Sequence, residues 1–223
     1  MFRVKICGIT TAANGLQAVE AGADAIGLNF FPASPRYVTP EQADVIVSTL
    51  PNTVCRVGLF VNANLETILA TAARLRLDMI QLHGDEAPED FAGLRGQRTI
   101  AARRCPTGFD SLLSFLDCCQ NLDCLPEAIL IDGYQPGQYG GTGHTADWDS
   151  VATLQSSLSG AQLILAGGLT PENVATAIHR VRPDAVDTAS GVESEPGIKD
   201  PQKMGDFVTA ARQAFAYHQR GSK

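Results

Sequence analysis

The sequence is short of positive charge and contains no long hydrophobic run. Its 223 residues include 17 Lys and Arg against 24 Asp and Glu, a formal net charge of −7. This balance opposes binding to nucleic acid and to anionic membranes. No run approaches the roughly 18 apolar residues of a membrane span, and residues 1–5 lack the apolar core of a signal peptide. We therefore expect a cytoplasmic protein with no nucleic-acid or membrane partner.

The cysteines also lack a paired CxxC spacing, which argues against a zinc site or a disulfide framework. Reduced thiols are the expected state in a chain of this length. Cys118, Cys119 and Cys124 are grouped, but no histidine lies nearby and no second pair of ligands appears. We predict no metal there and interpret the three as small residues on a helix.

What is present is a regular alternation of short apolar runs with helical patterns. Apolar side chains make up 44% of the residues and charged ones 18%, a mix typical of a folded domain. The runs recur about every 25 to 30 residues, and their continuous apolar character suits parallel strands covered by helices. The predicted strands are 4–7, 25–29, 55–60, 78–81, 99–103, 128–132, 163–166 and 185–188. The predicted helices are 43–50, 65–75, 149–158, 174–181 and 204–218, with weaker patterns at 88–94 and 111–120.

Eight such units in one chain of 223 residues predict an α/β fold, a single-domain (β/α)8 TIM barrel spanning residues 1–223. An open doubly wound sheet is the alternative. That fold would place a G-x-G-x-x-G turn directly after the first strand. The residues found there are Cys7-Gly8-Ile9-Thr10, which do not match.

In such a barrel the chemistry lies at the carboxyl ends of the strands. Cys7 ends the first predicted strand and Asp132 ends the sixth, so they are the candidate base or nucleophile and the candidate acid or base. Each has an ordinary alternative: Cys7 as a buried structural thiol, and Asp132 as a loop cap.

Glycines after strands seven and eight indicate a phosphate site. Gly167 and Gly168 follow one strand, and Ser190 and Gly191 follow the other. Phosphate usually binds in these two loops of the fold, where glycine lets backbone N–H groups approach its oxygens. The alternative is that the glycines only form tight turns. We expect a phosphorylated small molecule as ligand.

Two loops complete the predicted site. The loop after the second strand presents Arg36, which can bind a carboxylate through two hydrogen bonds or simply be solvated. Residues 133–143 are rich in glycine and include Gly141, a predicted substrate-binding residue. This segment is interpreted as a lid over the ligand, with an unstructured connection as the alternative.

Several sequence blocks occur in the order seen in phosphoribosylanthranilate isomerases of tryptophan biosynthesis, which the chain resembles over nearly its whole length. The most specific are KICGIT at 5–10, SPR at 34–36 and GGTG at 140–143. Others are GLNF at 27–30, VGLFVN at 57–62, QLHGDE at 81–86, LAGGL at 165–169 and SGVE at 190–193. Ala189 stands where the family usually has serine, and the segment 106–126 is longer and richer in cysteine than expected.

The resemblance implies an Amadori rearrangement of N-(5-phosphoribosyl)anthranilate to 1-(2-carboxyphenylamino)-1-deoxyribulose 5-phosphate. It assigns Cys7 as base, Asp132 as acid, and Arg36 to the anthranilate carboxylate. No metal or other cofactor is implied. The reaction needs Cys7 as a thiolate, so we expect the site to lower the pKa of its thiol. Lys5 shares the strand face of Cys7, and we expect it to pair with Asp187 inside the barrel.

Other readings stay open at this point. The chain is alternatively another phosphosugar-binding isomerase or epimerase, or a barrel that binds a phosphorylated metabolite without catalysis. We expect a monomer or a homodimer.

Overall fold

Eight short strands, buried on both faces, form a closed parallel barrel. The computed structural model describes residues 1–105, 108–132 and 147–221. The strands are β1 Val4–Cys7, β2 Ala25–Asn29, β3 Cys55–Phe60, β4 Met79–Leu82, β5 Thr99–Arg103, β6 Ala128–Ile131, β7 Gln162–Leu165 and β8 Ala185–Thr188. Each strand pairs with the next, and β8 pairs with β1 to close the ring. The (β/α)8 prediction is confirmed, while the extent of the domain over residues 1–223 stays a prediction.

Helices follow the strands and cover the outside of the barrel. They are α1 Ala12–Glu20, α2 Pro40–Thr49, α3 Leu65–Leu75, α4 Pro88–Gly93, α5 Asp110–Asn121, α6 Trp148–Ala152, α7 Val174–Val181 and α8 Pro201–Gly221. Helix α2 begins as its sequence predicts, because Thr39 accepts from the backbone N–H of Gln42 and the Gln42 side chain accepts from Thr39 N–H. Among the described residues, no helix is both long and apolar enough to cross a membrane.

The apolar core has two layers, one between barrel and helices and one inside the barrel. The inner layer is built largely from small and medium side chains: Phe2, Ala25, Val57, Met79, Ile100, Ala102, Ala128, Leu130, Ile164, Ala166 and Ala185. Such residues fill the narrow interior of a barrel that carries no channel. The strands therefore form a rigid base for the described loops at their carboxyl ends.

Several predicted boundaries differ from the structure. Strand β4 begins and ends one residue later than predicted, and the Asp78 carboxylate before it accepts from Arg56 N–H at 2.7 Å. Strand β6 ends at Ile131, so Asp132 is the first residue beyond it. Strand β7 begins and ends one residue earlier than predicted.

The predicted helix 149–158 is divided into α6 and a 3₁₀ turn, Gln155–Ser157. At the break the Thr153 hydroxyl donates to the Ser150 carbonyl at 2.8 Å, which competes with the helical pattern. The predicted ranges include neither the bounds of α1 nor a hairpin formed by β9 Glu193–Glu195 and β10 Ile198–Lys199. This hairpin follows a 3₁₀ turn, Ser190–Val192, at the mouth of the barrel.

Candidate active site

A pocket lies where the carboxyl ends of the barrel strands meet. Six of the predicted site residues line it, namely Cys7, Arg36, Asp132, Gly167, Gly168 and Ser190. Gly191 follows Ser190 in the same 3₁₀ turn. Gly141 and the predicted lid 133–143 lie outside the described residues. The structure therefore brings the predicted acid, base, arginine and phosphate loops to one cavity.

Cys7 is the last residue of β1 and is buried beside two ammonium groups. Burial raises the pKa of its thiol, and the Asp187 carboxylate raises it further, while Lys5 and Lys199 act in the opposite direction. The expectation that the site lowers this pKa is wrong, because loss of water around the sulfur outweighs the nearby positive charge. Cys7 rests as a thiol that becomes a strong base once deprotonated.

Lys5 points into the barrel and pairs with Asp187, as the sequence predicts. Its Nζ lies 3.0 Å from Asp187 Oδ1, and it donates to Gln81 Oε1 at 3.0 Å. Burial acts to lower the pKa of this fully buried ammonium, but the Asp187 carboxylate and the Cys7 sulfur together outweigh that effect and raise it. Lys5 is therefore a fixed positive charge under the pocket floor.

The Lys5 contact also orients a residue pair that the sequence analysis left without a role. Because Gln81 Oε1 accepts from Lys5, the amide Nε2 of Gln81 faces His83 Nδ1 at 3.2 Å. The amide donates, so Nδ1 accepts and the proton of a neutral His83 ring lies on Nε2. Lysine charge thus selects the tautomer of a pocket histidine through one glutamine.

His83 Nε2 lies 3.2 Å from Asp132 Oδ2. The N–H is not aligned with that oxygen, and Nε2 is buried without a hydrogen-bond partner among the described residues. Asp132 itself is buried at the pocket wall, with its backbone N–H donating to Arg103 O at 3.1 Å. The imidazole therefore lies beside the Asp132 carboxyl group, with its Nε2 buried. Only the general position of His83, in the loop after β4, was readable from the sequence.

Arg36 is held in the pocket by a carboxylate that the sequence analysis did not assign. Its Nε and Nη2 donate to the two Glu193 carboxylate oxygens, both at 2.7 Å. The stem of Arg36 lies over Gly8, where any side-chain carbon would overlap it. Arg36 is thus a buried, oriented residue and not a solvated one. Its Nη1 makes no hydrogen bond to a described residue.

The two predicted phosphate loops are tied to each other. Gly167 and Gly168 both have positive φ, +80° and +63°, which glycine adopts freely. Thr188 Oγ1 donates to Leu169 O at 2.8 Å, joining the end of β8 to the loop after β7. Gly191 lies against the same carbonyl so closely that a side chain there would overlap it.

The backbone N–H groups of Gly168 and Ser190 donate to none of the described residues. Asn173 holds the first loop from its other side, since its Nδ2 donates to Gly168 O at 2.9 Å. Adjacent loops whose amides donate to no described residue are an arrangement that can accept an anion, and the phosphate site stays a prediction.

Comparison with known proteins gives a consistent result. Residues 4–210 match the family model described as N-(5′-phosphoribosyl)anthranilate (PRA) isomerase. A protein of Geobacter sulfurreducens, named N-(5′-phosphoribosyl)anthranilate isomerase, is 48% identical over 212 residues, 95% of this chain and 99% of the relative.

Solved structures agree with the sequence comparison. Phosphoribosyl anthranilate isomerase from Thermotoga maritima superposes with a TM-score of 0.84 at 40% identity, covering 96% of this chain and 100% of that one. A second phosphoribosyl anthranilate isomerase structure contains reduced 1-(o-carboxyphenylamino)-1-deoxyribulose 5-phosphate. It superposes with a TM-score of 0.81 at 38% identity, covering 96% of this chain and 100% of that chain.

Proposed function

The chain belongs to the N-(5′-phosphoribosyl)anthranilate isomerase family, and we propose that Cys7 and Asp132 perform the proton transfers of the family's reaction. The protein is an isomerase of tryptophan biosynthesis. It converts the aminoaldose N-(5-phosphoribosyl)anthranilate into the aminoketose 1-(2-carboxyphenylamino)-1-deoxyribulose 5-phosphate by general acid–base catalysis. The observation that carries the assignment is the convergence of Cys7, Asp132, Arg36 and both phosphate loops on one pocket.

The reaction proceeds by two proton transfers at the sugar. Asp132 donates a proton to the furanose ring oxygen, the bond from that oxygen to C1 breaks, and an iminium ion forms. The Cys7 thiolate then removes the proton from C2, giving an enolamine that tautomerises to the ketone. A proton has moved from Asp132 to Cys7 in the cycle, and its return through solvent resets the enzyme. The rearrangement neither gains nor loses electrons overall, so the chemistry requires no redox group.

The polar neighbours of the two groups support these roles. The ammonium of Lys5 acts against burial and lowers the pKa of the thiol, which favours the thiolate needed for the second step. His83 stands beside Asp132 Oδ2, so the other carboxyl oxygen, Oδ1, is the one expected to carry the proton toward the substrate.

Binding uses the two ends of the substrate. We assign the phosphate to the amides of the loops that contain Gly167, Gly168, Ser190 and Gly191. The anthranilate carboxylate is assigned to Arg36, and the aromatic ring to the apolar wall formed by Phe31, Leu59 and Val61. Gly141 retains its predicted role as a substrate-binding residue. We further propose that the protein acts in the cytoplasm, as a monomer or a homodimer.

The direct test is to supply phosphoribosylanthranilate to the purified protein and follow the loss of its fluorescence. Cys7→Ser and Asp132→Asn are each expected to reduce kcat severely with little change in KM, because each removes a proton-transfer group and little binding surface. Cys118→Ser, at an exposed cysteine of α5, is the matched control and should keep full activity. Near-normal turnover by Cys7→Ser would exclude Cys7 as the base.

Two alternatives have their own outcomes in this assay. A protein that binds phosphoribosylanthranilate without turnover would be a silent binding barrel. Turnover of a different phosphosugar, with none of phosphoribosylanthranilate, would identify another isomerase or epimerase.

A further inference from the structure

We propose that Glu193 and Lys199, on the β9–β10 hairpin, are positioning residues that set the orientation of Arg36 for the substrate carboxylate. This role rests on the proposed binding of the substrate carboxylate by Arg36. Glu193 contacts Arg36 and Lys199 contacts Glu193, and neither takes part in the proton transfers. The hairpin follows the phosphate loop after β8. It therefore connects the two ends of the substrate site.

The geometry of the Arg36 pair leaves one edge of the guanidinium for a ligand. Glu193 accepts from Nε and Nη2, both at 2.7 Å, which is the lateral edge of the group. The terminal edge, formed by Nη1 and the second N–H of Nη2, can then donate to a second carboxylate. A free arginine would present either edge in many rotamers. Glu193 fixes which edge faces the pocket.

Lys199 holds Glu193 in place and adds a second positive charge to the cluster formed by Arg36, Glu193 and Lys199. Its buried Nζ donates to Glu193 Oε1 and to Ala189 O, both at 2.8 Å. Two buried cations, Arg36 and Lys199, share one carboxylate, so the cluster retains one net positive charge. A buried charge is costly when unpaired, and an anionic group on the substrate would neutralise it. The cluster is therefore complementary to a ligand carboxylate.

The tip of the β9–β10 hairpin contacts two loops of the site. Gly197 O, at the hairpin tip, accepts from Thr10 Oγ1 at 2.9 Å. Gly197 has φ +83°, and an added Cβ there would lie 2.8 Å from Pro35 O, in the loop that carries Arg36. The tip thus contacts the loop after β1 and the loop after β2. Through Lys199 and Ala189 it also contacts the phosphate loop.

The test compares two ligands that differ only in the carboxylate. One is reduced 1-(o-carboxyphenylamino)-1-deoxyribulose 5-phosphate, and the other is its counterpart made from aniline, which lacks the carboxyl group. Glu193→Gln is expected to lower the affinity for the first ligand by about tenfold or more and to leave the affinity for the second within about twofold of the wild-type value. In turnover the same variant should raise KM with little change in kcat.

Lys203→Ala is the matched control, because the ammonium of exposed Lys203 donates to the backbone carbonyl of Glu193, at 2.8 Å, and not to its carboxylate. It should bind both ligands like the wild type. Equal weakening of both ligands by Glu193→Gln would overturn the proposal, since it would mean a general structural role.

Two further variants keep the test decisive. Glu193→Asp retains the buried negative charge and is one methylene shorter, so it should show the same selective loss if Glu193→Gln does not fold. Arg36→Ala should abolish the preference for the carboxylated ligand. The double variant Arg36→Ala/Glu193→Gln should then bind the carboxylated ligand with an affinity within about twofold of that of Arg36→Ala. If Arg36→Ala keeps the preference, the carboxylate assignment itself is wrong. If the Glu193 variants keep the preference for the carboxylated ligand and Arg36→Ala loses it, the positioning role of Glu193 is wrong and the assignment of the carboxylate to Arg36 stands.

Discussion

Gly27 leaves the space that the Cys7 thiol occupies. The two residues are paired in the β1–β2 register, and a Cβ on Gly27 would lie 2.6 Å from Cys7 Sγ. The residues after Cys7 also hook onto Gly27, whose carbonyl accepts from Gly8 N–H at 2.9 Å and from Ile9 N–H at 3.0 Å. The sulfur position is thus fixed from β2 as well as from β1.

Gly27→Ala is therefore expected to displace the proposed base. Because a misplacement of about 1 Å can cost on the order of a hundredfold in rate, we expect kcat to fall by about tenfold or more. KM should change less, since Gly27 does not line the pocket. Gly205→Ala is the control, because nothing lies within 4 Å of an added Cβ there. Wild-type kcat in Gly27→Ala would contradict the proposed dependence on thiol position.

The pH profile of the residual kcat/KM of Asp132→Asn should rise into the alkaline range. This variant takes the proposed acid out of the profile, which then depends on the thiol alone. Burial raises the pKa of the Cys7 thiol above its ordinary value of 9.0, so the reactive thiolate is a minor species near neutrality. The limb is expected to have unit slope and an apparent pKa above 9.0, and adding Cys7→Ser should remove it. A profile of Asp132→Asn that is flat at alkaline pH, within the range where the protein stays folded, would argue against a raised thiol pKa.

Much of this architecture was predictable because it depends on local patterns. Continuous apolar runs at regular spacing give parallel strands with helices between them. Of the eight predicted site residues, all but Gly141 lie in described segments at the mouth of the barrel, namely Cys7, Arg36, Asp132, Gly167, Gly168, Ser190 and Gly191. The Lys5–Asp187 pair followed from strand parity and from the adjacency of the first and last strands in a closed barrel.

The contacts that the sequence did not reveal depend on residues distant in the chain. Arg36 and Glu193 are separated by 157 positions, and neither has a local pattern that names the other. The hairpin from Glu193 to Lys199 is too short and too polar to give a strand signal. The sign of the Cys7 pKa shift depends on how completely water is excluded, which a sequence does not report. Side-chain roles in the pocket therefore needed the folded structure.

Lys5→Met is expected to destabilise the fold strongly. It would leave Asp187 as a buried carboxylate without its cation, and removal of one partner of a buried ion pair costs about 3–5 kcal/mol. The double variant Lys5→Met/Asp187→Leu should recover a large part of that loss, because it also removes the orphaned charge. Urea unfolding of the two variants and the wild type measures the difference. A free energy of unfolding for Lys5→Met within about 1 kcal/mol of the wild type would contradict the stabilising role of the pair.

Gly191→Ala should separate the two phosphate loops. The added methyl would overlap Leu169 O and would lie 2.9 Å from Thr188 Oγ1, the donor to that same carbonyl. Because backbone has to move, we expect KM for phosphoribosylanthranilate to rise about tenfold or more and the free energy of unfolding to fall by about 1–3 kcal/mol. The loss of affinity should be specific for phosphate. Gly191→Ala should therefore bind the reduced product analogue more weakly than the wild type does, and should bind its dephosphorylated form equally well. Equal effects on the two forms would show that Gly191 supports the barrel mouth in general and not the phosphate site.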